Sequence, residues 1–423
     1  MSKHKGVCPR FGSVSYHRAM RVFIALFLAV SLATHAQQPQ SPPMARPGAA
    51  LEALLQQRPE DATLWFYLAR AQAQAGDREG AMASLGKMAE FGDGFLPRRE
   101  DFASLWNDAA FQALRAKMEA KLPRLDYAPA VVELADAGLI PEGIAYDIPS
   151  RSLFMGSIAA KKIVRIREDG GISDFAGPGS ELDSVLGIAV DSPRRILYAV
   201  TTTALTVQGE KQRRNAIVAY DVDSRRFLNR YDLSAAKQLN DVTVAPGGRV
   251  FTTDSASGAV YEIAIKGPGP AREIVAPGQL RGSNGLAVSP DAKRLYIATA
   301  TGLAVVTLED NSIARVDNRT RETVAAIDGL YAWQGELIGV QNLTTPGRVI
   351  RITLSPDGKA VTAVHTLLSH HHNQMDEPTA AAITDKDLLV LVATGVAHYT
   401  REGRVDDVAS LPRPTVVRLS LPR

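Results

Sequence analysis

Short apolar segments recur along residues 141–421, and each begins just after a loop. The loops end at residues 142, 187, 240, 284, 328 and 377, so successive segments are 44 to 53 residues apart. In each repeat a turn such as Ser289-Pro290-Asp291 leads to a second strand-like stretch such as Leu295-Tyr296-Ile297-Ala298. Short apolar strands separated by Gly, Pro and Asp turns indicate an all-β fold. Because this period is typical of four-stranded propeller blades, six repeats predict a six-bladed β-propeller over residues 128–423.

The last repeat lacks one strand. Its apolar stretches lie near Thr379–Ile383, Leu388–Val392 and Thr415–Leu421. Ala130–Leu134, just before the first repeat, is an unassigned strand, and we expect it to become the outer strand of the last blade, so that the ring has no open edge. In the alternative arrangement, Val396–Tyr399 is the third strand of that blade.

A helical pattern rich in Ala, Leu, Gln and Arg precedes the repeats over residues 51–122. It resembles a single tetratricopeptide repeat with a turn at Gly76-Asp77, on the positions Trp65, Leu68, Ala69, Gln72, Ala81 and Leu85. A further helix is predicted to carry Phe102, Leu105, Trp106, Phe111, Leu114 and Met118. One repeat cannot bury its own apolar face, so this segment must pack on a neighbour or a partner. A cap or docking element is favoured, and a protein-binding module is the alternative.

The N-terminal residues have the pattern of an export signal. Arg18 and Arg21 precede an apolar run over Val22–Ala33, and Thr34-His35-Ala36 follows. This pattern predicts a signal peptide over residues 1–36, cut after Ala36, and a periplasmic or secreted protein. The run is too short for a stable membrane anchor.

Residues within and after this leader bear on where translation starts and on how the leader joins the rest of the chain. Met20 stands immediately before the second arginine, so translation starts at either Met1 or Met20. Residues 37–50 form a Pro- and Gln-rich stretch, which predicts a flexible linker.

The charge of the chain changes when the leader is removed. The whole sequence has a net charge of +3, but residues 1–36 contain five basic and no acidic side chains. The remaining 43 basic and 45 acidic side chains give −2, which leaves no electrostatic basis for binding nucleic acid. The only cysteine, Cys8, lies in the leader, so the mature chain has no disulfide, thiol nucleophile or cysteine-ligated zinc.

Four polar residues occupy one register of the repeat. The starts of the innermost strands of a propeller converge on one face of its channel. The residues at this position are Glu142, Asn240, Asn284 and Asp328. Two carboxylates and two amide oxygens are hard ligands, so the set predicts a divalent cation site, with Ca²⁺ favoured and Zn²⁺, Mn²⁺ and Mg²⁺ as alternatives.

Two further residues are candidates for contact with a substrate. Asn342 follows the second strand of the fifth repeat, and its loop should share the face of the cation site. His372 ends the run His370-His371-His372, which leads towards the first strand of the sixth repeat.

Residues 141–421 resemble the senescence-marker/regucalcin/gluconolactonase group of six-bladed propellers. The matching stretches are Pro141-Glu142-Gly143, Leu239-Asn240-Asp241, Ser283-Asn284-Gly285-Leu286-Ala287-Val288-Ser289-Pro290-Asp291 and Ile327-Asp328-Gly329-Leu330. The resemblance implies that Glu142, Asn284 and Asp328 bind a catalytic divalent ion. It also implies that Asn240 lies beside the ion, as a ligand or a substrate contact.

The chemistry that this resemblance implies is hydrolysis of a small lactone or ester. A cation at the channel would polarise the carbonyl group, and Asp328 is the candidate general base or nucleophile. The alternative is a non-catalytic propeller of the NHL-repeat or strictosidine-synthase-like kind, which binds a protein or small-molecule partner.

Overall fold

The computed structural model describes residues 48–179, 181–203, 205, 214–265, 271–400, 403–405 and 407–421. The predicted leader and most of the predicted linker therefore lie outside the described residues. The described part contains four α-helices, all before the propeller: α1 Ala49–Gln57, α2 Ala62–Gln74, α3 Arg78–Phe91 and α4 Ala109–Glu119. Within these described ranges, no helix is long and apolar enough to cross a membrane.

The strands that follow form six antiparallel sheets, one for each blade. The first blade contains β2 Pro141–Asp147, β3 Ser152–Ser157, β4 Ile163–Arg167 and β5 Ile172–Ala176. The second contains β6 Ser184–Asp191, β7 Ile196–Thr202, β8 Asn215–Asp221 and β9 Phe227–Asp232. The third contains β10 Leu239–Val244, β11 Val250–Asp254, β12 Ala259–Ile263 and β13 Arg272–Val275.

The other three blades vary slightly in strand number and order. The fourth contains β14 Leu286–Val288, β15 Arg294–Thr299, β16 Gly302–Thr307 and β17 Ile313–Arg315. The fifth contains β19 Ile327–Trp333, β20 Glu336–Gln341, β21 Arg348–Leu354 and β22 Ala360–Leu368, with the short β18 Asp317–Asn318 parallel to β22. The sixth contains β23 Ala381–Ile383, β24 Asp387–Ala393, β25 Thr415–Ser420 and β1 Ala130–Glu133. The predicted six-bladed propeller is confirmed.

The ring closes by pairing the first strand of the chain with the last. β1 lies antiparallel to β25, with Val132 opposite Val416 and Glu133 opposite Thr415. The predicted closure is therefore confirmed. The alternative third strand is wrong, because residues Val396–His398 form a 3₁₀ turn in the loop between β24 and β25. The first strands of neighbouring blades contact one another around the complete ring.

The apolar core lies between the blades. Middle strands such as β3 are buried along their whole length, because both faces of a blade pack on neighbouring blades. Outer strands such as β9 are largely exposed. Each interface between blades therefore contributes its own cluster of buried side chains.

The helical segment has a core of its own. Asp61 and Asp77 cap α2 and α3, and the turn between these helices contains Gly76 with a φ of +81°, where glycine is favoured. Phe66 packs against Phe95 and Phe102, each with ring centroids less than 6 Å apart.

The further helix predicted from Phe102 to Met118 is shorter than expected. Asp108 accepts hydrogen bonds from the N–H groups of Ala110 and Phe111, so α4 begins only at Ala109. Phe102, Leu105 and Trp106 lie before it, where Ala103–Leu105 form a 3₁₀ turn.

The helical segment packs on the propeller, as its unburied face requires. The Tyr67 hydroxyl donates to Ala300 O at 2.8 Å, and the Leu96 N–H donates to Thr344 O at 3.1 Å. Asp61 pairs with Arg315 of β17 at 3.1 Å. The partners Ala300 and Thr344 lie in loops between the second and third strands of the fourth and fifth blades. These loops are at the end of the propeller where the first strands begin, called here the channel mouth.

Candidate metal and active site

β-Bulges interrupt the first strands of four blades at the channel mouth. The regular pairing shifts between Pro141 and Ile144, Val185 and Ile188, Leu239 and Val242, and Ile327 and Leu330. A bulge bends the strand and redirects the side chains within it. Glu142, Asn240 and Asp328 all lie in these bulges, while Asn284 stands just before β14. The bulges therefore explain how the side chains of Glu142, Asn240 and Asp328 come to face the channel.

Glycines next to these polar residues permit the blades to approach closely. A Cβ atom at Gly143 would collide with the carbonyl oxygen of Leu186 in the next blade. A Cβ atom at Gly285 would collide with the backbone of Asp328 and Leu330. Glycine is therefore required here by the narrow spacing of the first strands around the channel.

Asp328 accepts hydrogen bonds from two other residues of the site. It is buried, and its Oδ1 atom accepts a hydrogen bond of 2.6 Å from Asn284 Nδ2. Its Oδ2 atom accepts one of 2.6 Å from Asn342 Nδ2, which also donates to Pro378 O at 3.0 Å. Both carboxylate oxygens are thus oriented by amide groups from the fourth and fifth blades.

Two more carboxyl groups lie in the same narrow cleft. Glu142 and Asp241 line it together with Asp328, and both remain partly accessible. Burial raises the pKa of Glu142 well above its ordinary range, and the charges of Asp328 and Asp241 raise it further. Burial raises the pKa of Asp241 to about 7, against a hydrogen bond from the Val242 N–H, and Asp328 adds to the rise. Burial likewise raises the pKa of Asp328, although the hydrogen bonds from Asn342 and Asn284 oppose it.

The donor atoms of the cleft fit a divalent cation. The Oδ1 atoms of Asn284 and Asn342 are buried, and no described residue donates a hydrogen bond to either. A buried amide oxygen without a partner costs stability unless something else binds it. Beside these oxygens stand three carboxyl groups whose charges repel one another, as the raised pKa of Glu142 reflects. A set of carboxylate and amide oxygens is what hard divalent ions such as Ca²⁺ prefer.

The structure brings together the four residues predicted from the repeat. Glu142, Asn240, Asn284 and Asp328 all line this cleft. Asn240 is buried, and its Nδ2 atom donates to Ser255 Oγ at 2.9 Å. Asn342 joins them through its hydrogen bond to Asp328.

His372 is not among the residues that line the cleft. Its Nε2 atom donates to Ala128 O at 2.9 Å, and its Nδ1 atom accepts from the Gln374 N–H at 3.2 Å. Ala128 leads into β1, the outermost strand of the sixth blade, so His372 lies at the outer side of this blade. Its imidazole contacts the segment that leads into β1, and the structure does not place it against a substrate in the channel.

The other two histidines of the run lie against the helical segment. His370 Nε2 is 3.5 Å from Glu119 Oε1, at the end of α4. Burial and the neighbouring His371 lower the pKa of His370. One ligand atom from each of Glu119, His370 and His371 lies within 4.8 Å of the others. This cluster joins α4 to the loop before the sixth blade.

Three residues of the site were missed in the sequence. Asp241 follows Asn240 within the same bulge, so its position beside a predicted ligand was the available signal. Tyr331 lines the cleft and accepts a hydrogen bond from the Ala381 N–H at 2.8 Å. Glu377 occupies the equivalent position in the sixth repeat, and its charge raises the pKa of Asp328.

Arg98 connects the helical segment to the site. Its Nη1 atom donates to Asn342 O at 2.6 Å and lies 3.9 Å from Glu377 Oε1. Asn342 in turn orients Asp328. The helical segment therefore contacts the residues that surround the candidate catalytic carboxylate.

Comparison with known proteins finds a family model that matches the first four blades and part of the fifth. Residues 140–332 match the SMP-30/Gluconolactonase/LRE-like region, which confirms the resemblance predicted from the sequence. No curated protein matches the chain.

Solved structures with a similar fold include two from bacteria. A gluconolactonase from Xanthomonas campestris has 17% sequence identity and a TM-score of 0.46, and the match covers 71% of this chain and 98% of that one. The calcium-binding protein regucalcin from Agrobacterium tumefaciens has 16% identity and a TM-score of 0.47, with coverage of 70% and 95%.

Proposed function

We propose that this chain, an SMP-30/gluconolactonase/LRE-like propeller, is a lactonase-type hydrolase that acts on a small lactone or ester. The observation that supports this function best is the arrangement around Asp328. Its two oxygens accept hydrogen bonds from Asn284 and Asn342, while the amide oxygens of both asparagines are buried without a described partner. Carboxyl groups with raised pKa values in a cleft are typical of functional sites.

The proposed cofactor is a divalent cation, with Ca²⁺ favoured. Glu142, Asn284 and Asp328 would hold it, with Asn240 beside it and the amide oxygen of Asn342 as a further donor. When bound, the cation supplies a positive charge that polarises the carbonyl group and stabilises the oxyanion formed by water attack.

Asp328 is the proposed general base. Its carboxylate takes a proton from a water molecule as the water oxygen forms a bond to the carbonyl carbon of the substrate. The bond between that carbon and the ring or ester oxygen then breaks, and the departing oxygen receives the proton from Asp328. A hydroxy acid, or an acid and an alcohol, is released. Because Asn284 and Asn342 orient both carboxylate oxygens, little reorganisation is needed during proton transfer.

Lactone hydrolysis by the purified chain, measured with Ca²⁺ and after treatment with a chelator, tests the proposal. We expect activity that is lost with the chelator and restored by Ca²⁺. Asp328→Asn should abolish hydrolysis because it removes both a charge and the base, whereas the exposed Asp385→Asn serves as the matched control. Activity that survives Asp328→Asn would refute the role of this carboxylate.

The binding-propeller alternative makes a different prediction for the same experiment. A propeller that only binds a partner has no need for three carboxyl groups and two unpartnered amide oxygens in its channel. It would show neither hydrolysis nor a cation requirement.

We also propose that the protein is exported to the periplasm or secreted, on the basis of the leader pattern that ends at Ala36. Mass spectrometry of the protein from its native host should find an N-terminus at or near Gln37. A cytoplasmic protein that retains the leader would contradict export.

A further inference from the structure

A large cavity lies between the helical segment and the channel mouth. Its volume is about 960 cubic ångströms, and one wall is formed by side chains of α1 and α2, including Leu54 and Tyr67. Asn240 and Asn284 line both this cavity and the narrow cleft that contains Glu142 and Asp328. A ligand in this cavity, called here the helix-roofed chamber, would therefore lie next to the candidate catalytic carboxylate.

Most of the surface inside the helix-roofed chamber is apolar. The apolar side chains come from both the helical segment and the propeller, and they include Leu54, Leu280, Leu303, Ile313, Ile327 and Leu343. Two of the arginines at its edge, Arg58 and Arg315, both bind Asp61 Oδ2, at 3.0 and 3.1 Å. Asp61 therefore compensates one of these two positive charges.

This apolar surface favours an alkyl or aryl substituent over one that carries hydroxyl groups. A sugar lactone carries hydroxyl groups on most of its carbons, and each hydroxyl that leaves water without a hydrogen-bond partner costs binding energy. An alkyl or aryl group gains binding energy when it leaves water for such a surface. The volume is in the range of cavities that enclose small organic ligands.

We propose that the helix-roofed chamber binds an apolar substituent of the substrate, so that the substrates are lactones or esters with an alkyl or aryl group of several carbons. This assignment of substrate class rests on the hydrolase function proposed above. The carbonyl group lies in the cleft at Asp328, and the substituent extends beneath α1 and α2. The helical segment then forms part of the substrate site.

A series of lactones with growing alkyl chains tests the substrate class. kcat/KM is measured with Ca²⁺ for γ-butyrolactone, γ-hexalactone, γ-nonalactone and D-glucono-δ-lactone. We expect kcat/KM to rise about two- to fourfold for each added methylene group, which is the gain expected from burying it. Values that do not change with chain length, or a preference for D-glucono-δ-lactone, would overturn the proposal while leaving the hydrolase function intact.

A variant in the roof tests whether the substituent lies in the helix-roofed chamber. Leu54 is partly exposed on α1, so Leu54→Gln should fold. We expect it to lower kcat/KM for γ-nonalactone at least about threefold more than for γ-butyrolactone, because only the longer chain reaches the roof. Leu125→Gln, at a residue that is 42% exposed outside the chamber, is the matched control and should affect neither substrate. Equal effects of Leu54→Gln on both lactones would contradict the placement.

Binding of a compound that cannot be hydrolysed separates this proposal from the hydrolase function. Calorimetry compares 3-hexylcyclopentanone, which has the shape of an alkyl lactone, with cyclopentanone. If no lactone is hydrolysed, the hydrolase function is wrong, yet tighter binding of the hexyl compound that Leu54→Gln weakens would still support the apolar chamber. If the hexyl compound does not bind more tightly than cyclopentanone, the proposal that the chamber binds an apolar substituent is overturned.

Discussion

Asn342 Nδ2 donates a hydrogen bond of 2.6 Å to Asp328 Oδ2, and this contact joins two segments of the fifth blade at the channel. Asn342 follows the second strand of the blade, whereas Asp328 lies in the bulge of its first strand. The same amide also donates to Pro378 O before the sixth blade. The orientation of Asp328 is therefore set by the propeller before any ligand binds.

Replacement of Asn342 should impair the site without unfolding the propeller. Asn342→Ala removes a hydrogen bond to Asp328 and one buried amide oxygen, so we expect about a 10- to 100-fold loss in kcat/KM or Ca²⁺ affinity, as for other residues that orient metal ligands. Steady-state kinetics and calorimetry measure both. Asn229→Ala on the exposed outer strand β9 is the matched control. An Asn342→Ala protein with unchanged kinetics and affinity would contradict the role given to this amide.

The raised pKa of Asp241 predicts how pH affects the stability of chelator-treated protein. Between the ordinary pKa of 3.8 and about 7, the folded state holds a proton that the unfolded state has lost. The contribution of Asp241 to the free energy of unfolding therefore falls as pH rises through this range. Asp241→Asn keeps a hydrogen-bond acceptor without the charge, so its stability relative to wild type should increase from pH 5 to pH 8.

Urea denaturation at several pH values, without and with Ca²⁺, measures this effect. The exposed Asp385→Asn is the control, and saturating Ca²⁺ should remove the advantage of Asp241→Asn because the ion compensates the charge. A stability difference that is independent of pH would show that Asp241 is not desolvated in the folded protein.

Ring closure predicts a specific disulfide. Val132 of β1 lies opposite Val416 of β25, and directly opposed residues of antiparallel strands are close enough for a disulfide. The double variant Val132→Cys/Val416→Cys should form this bond on oxidation and raise the unfolding temperature, since the bond closes a very long loop. Glu133→Cys/Val416→Cys is the control, because Glu133 follows Val132 in the regular part of the pairing, where successive side chains point to opposite faces. Equal crosslinking in both variants would refute the observed register.

The blades and most of the site could be predicted because both follow the repeat. Glu142, Asn240, Asn284 and Asp328 each occupy the same place in their repeat, so one alignment of the sequence with itself brings them together. The strand at Ala130–Glu133 could be predicted because the last repeat lacked one.

The remaining features depend on contacts that no local pattern encodes. The bulge at Leu239–Val242 brings Asp241 as well as Asn240 to the cleft, and sequence alone does not reveal where pairing shifts. His372 is held on the outer side of the sixth blade by Ala128, which is distant in the sequence. The helical segment covers the channel mouth through pairs such as Tyr67 and Ala300, and only the folded chain brings these together.

Calorimetric titration of Ca²⁺ into the chelator-treated protein tests the central claim most directly, because it measures the cation site without reference to any substrate. We expect one Ca²⁺ bound per chain, with affinity reduced at least about tenfold in Glu142→Gln and in Asp328→Asn. Glu168→Gln, at an exposed glutamate, is the matched control and should bind as wild type does. Wild-type protein that binds no divalent cation, or binding that both channel variants leave unchanged, would contradict a cation site in the channel.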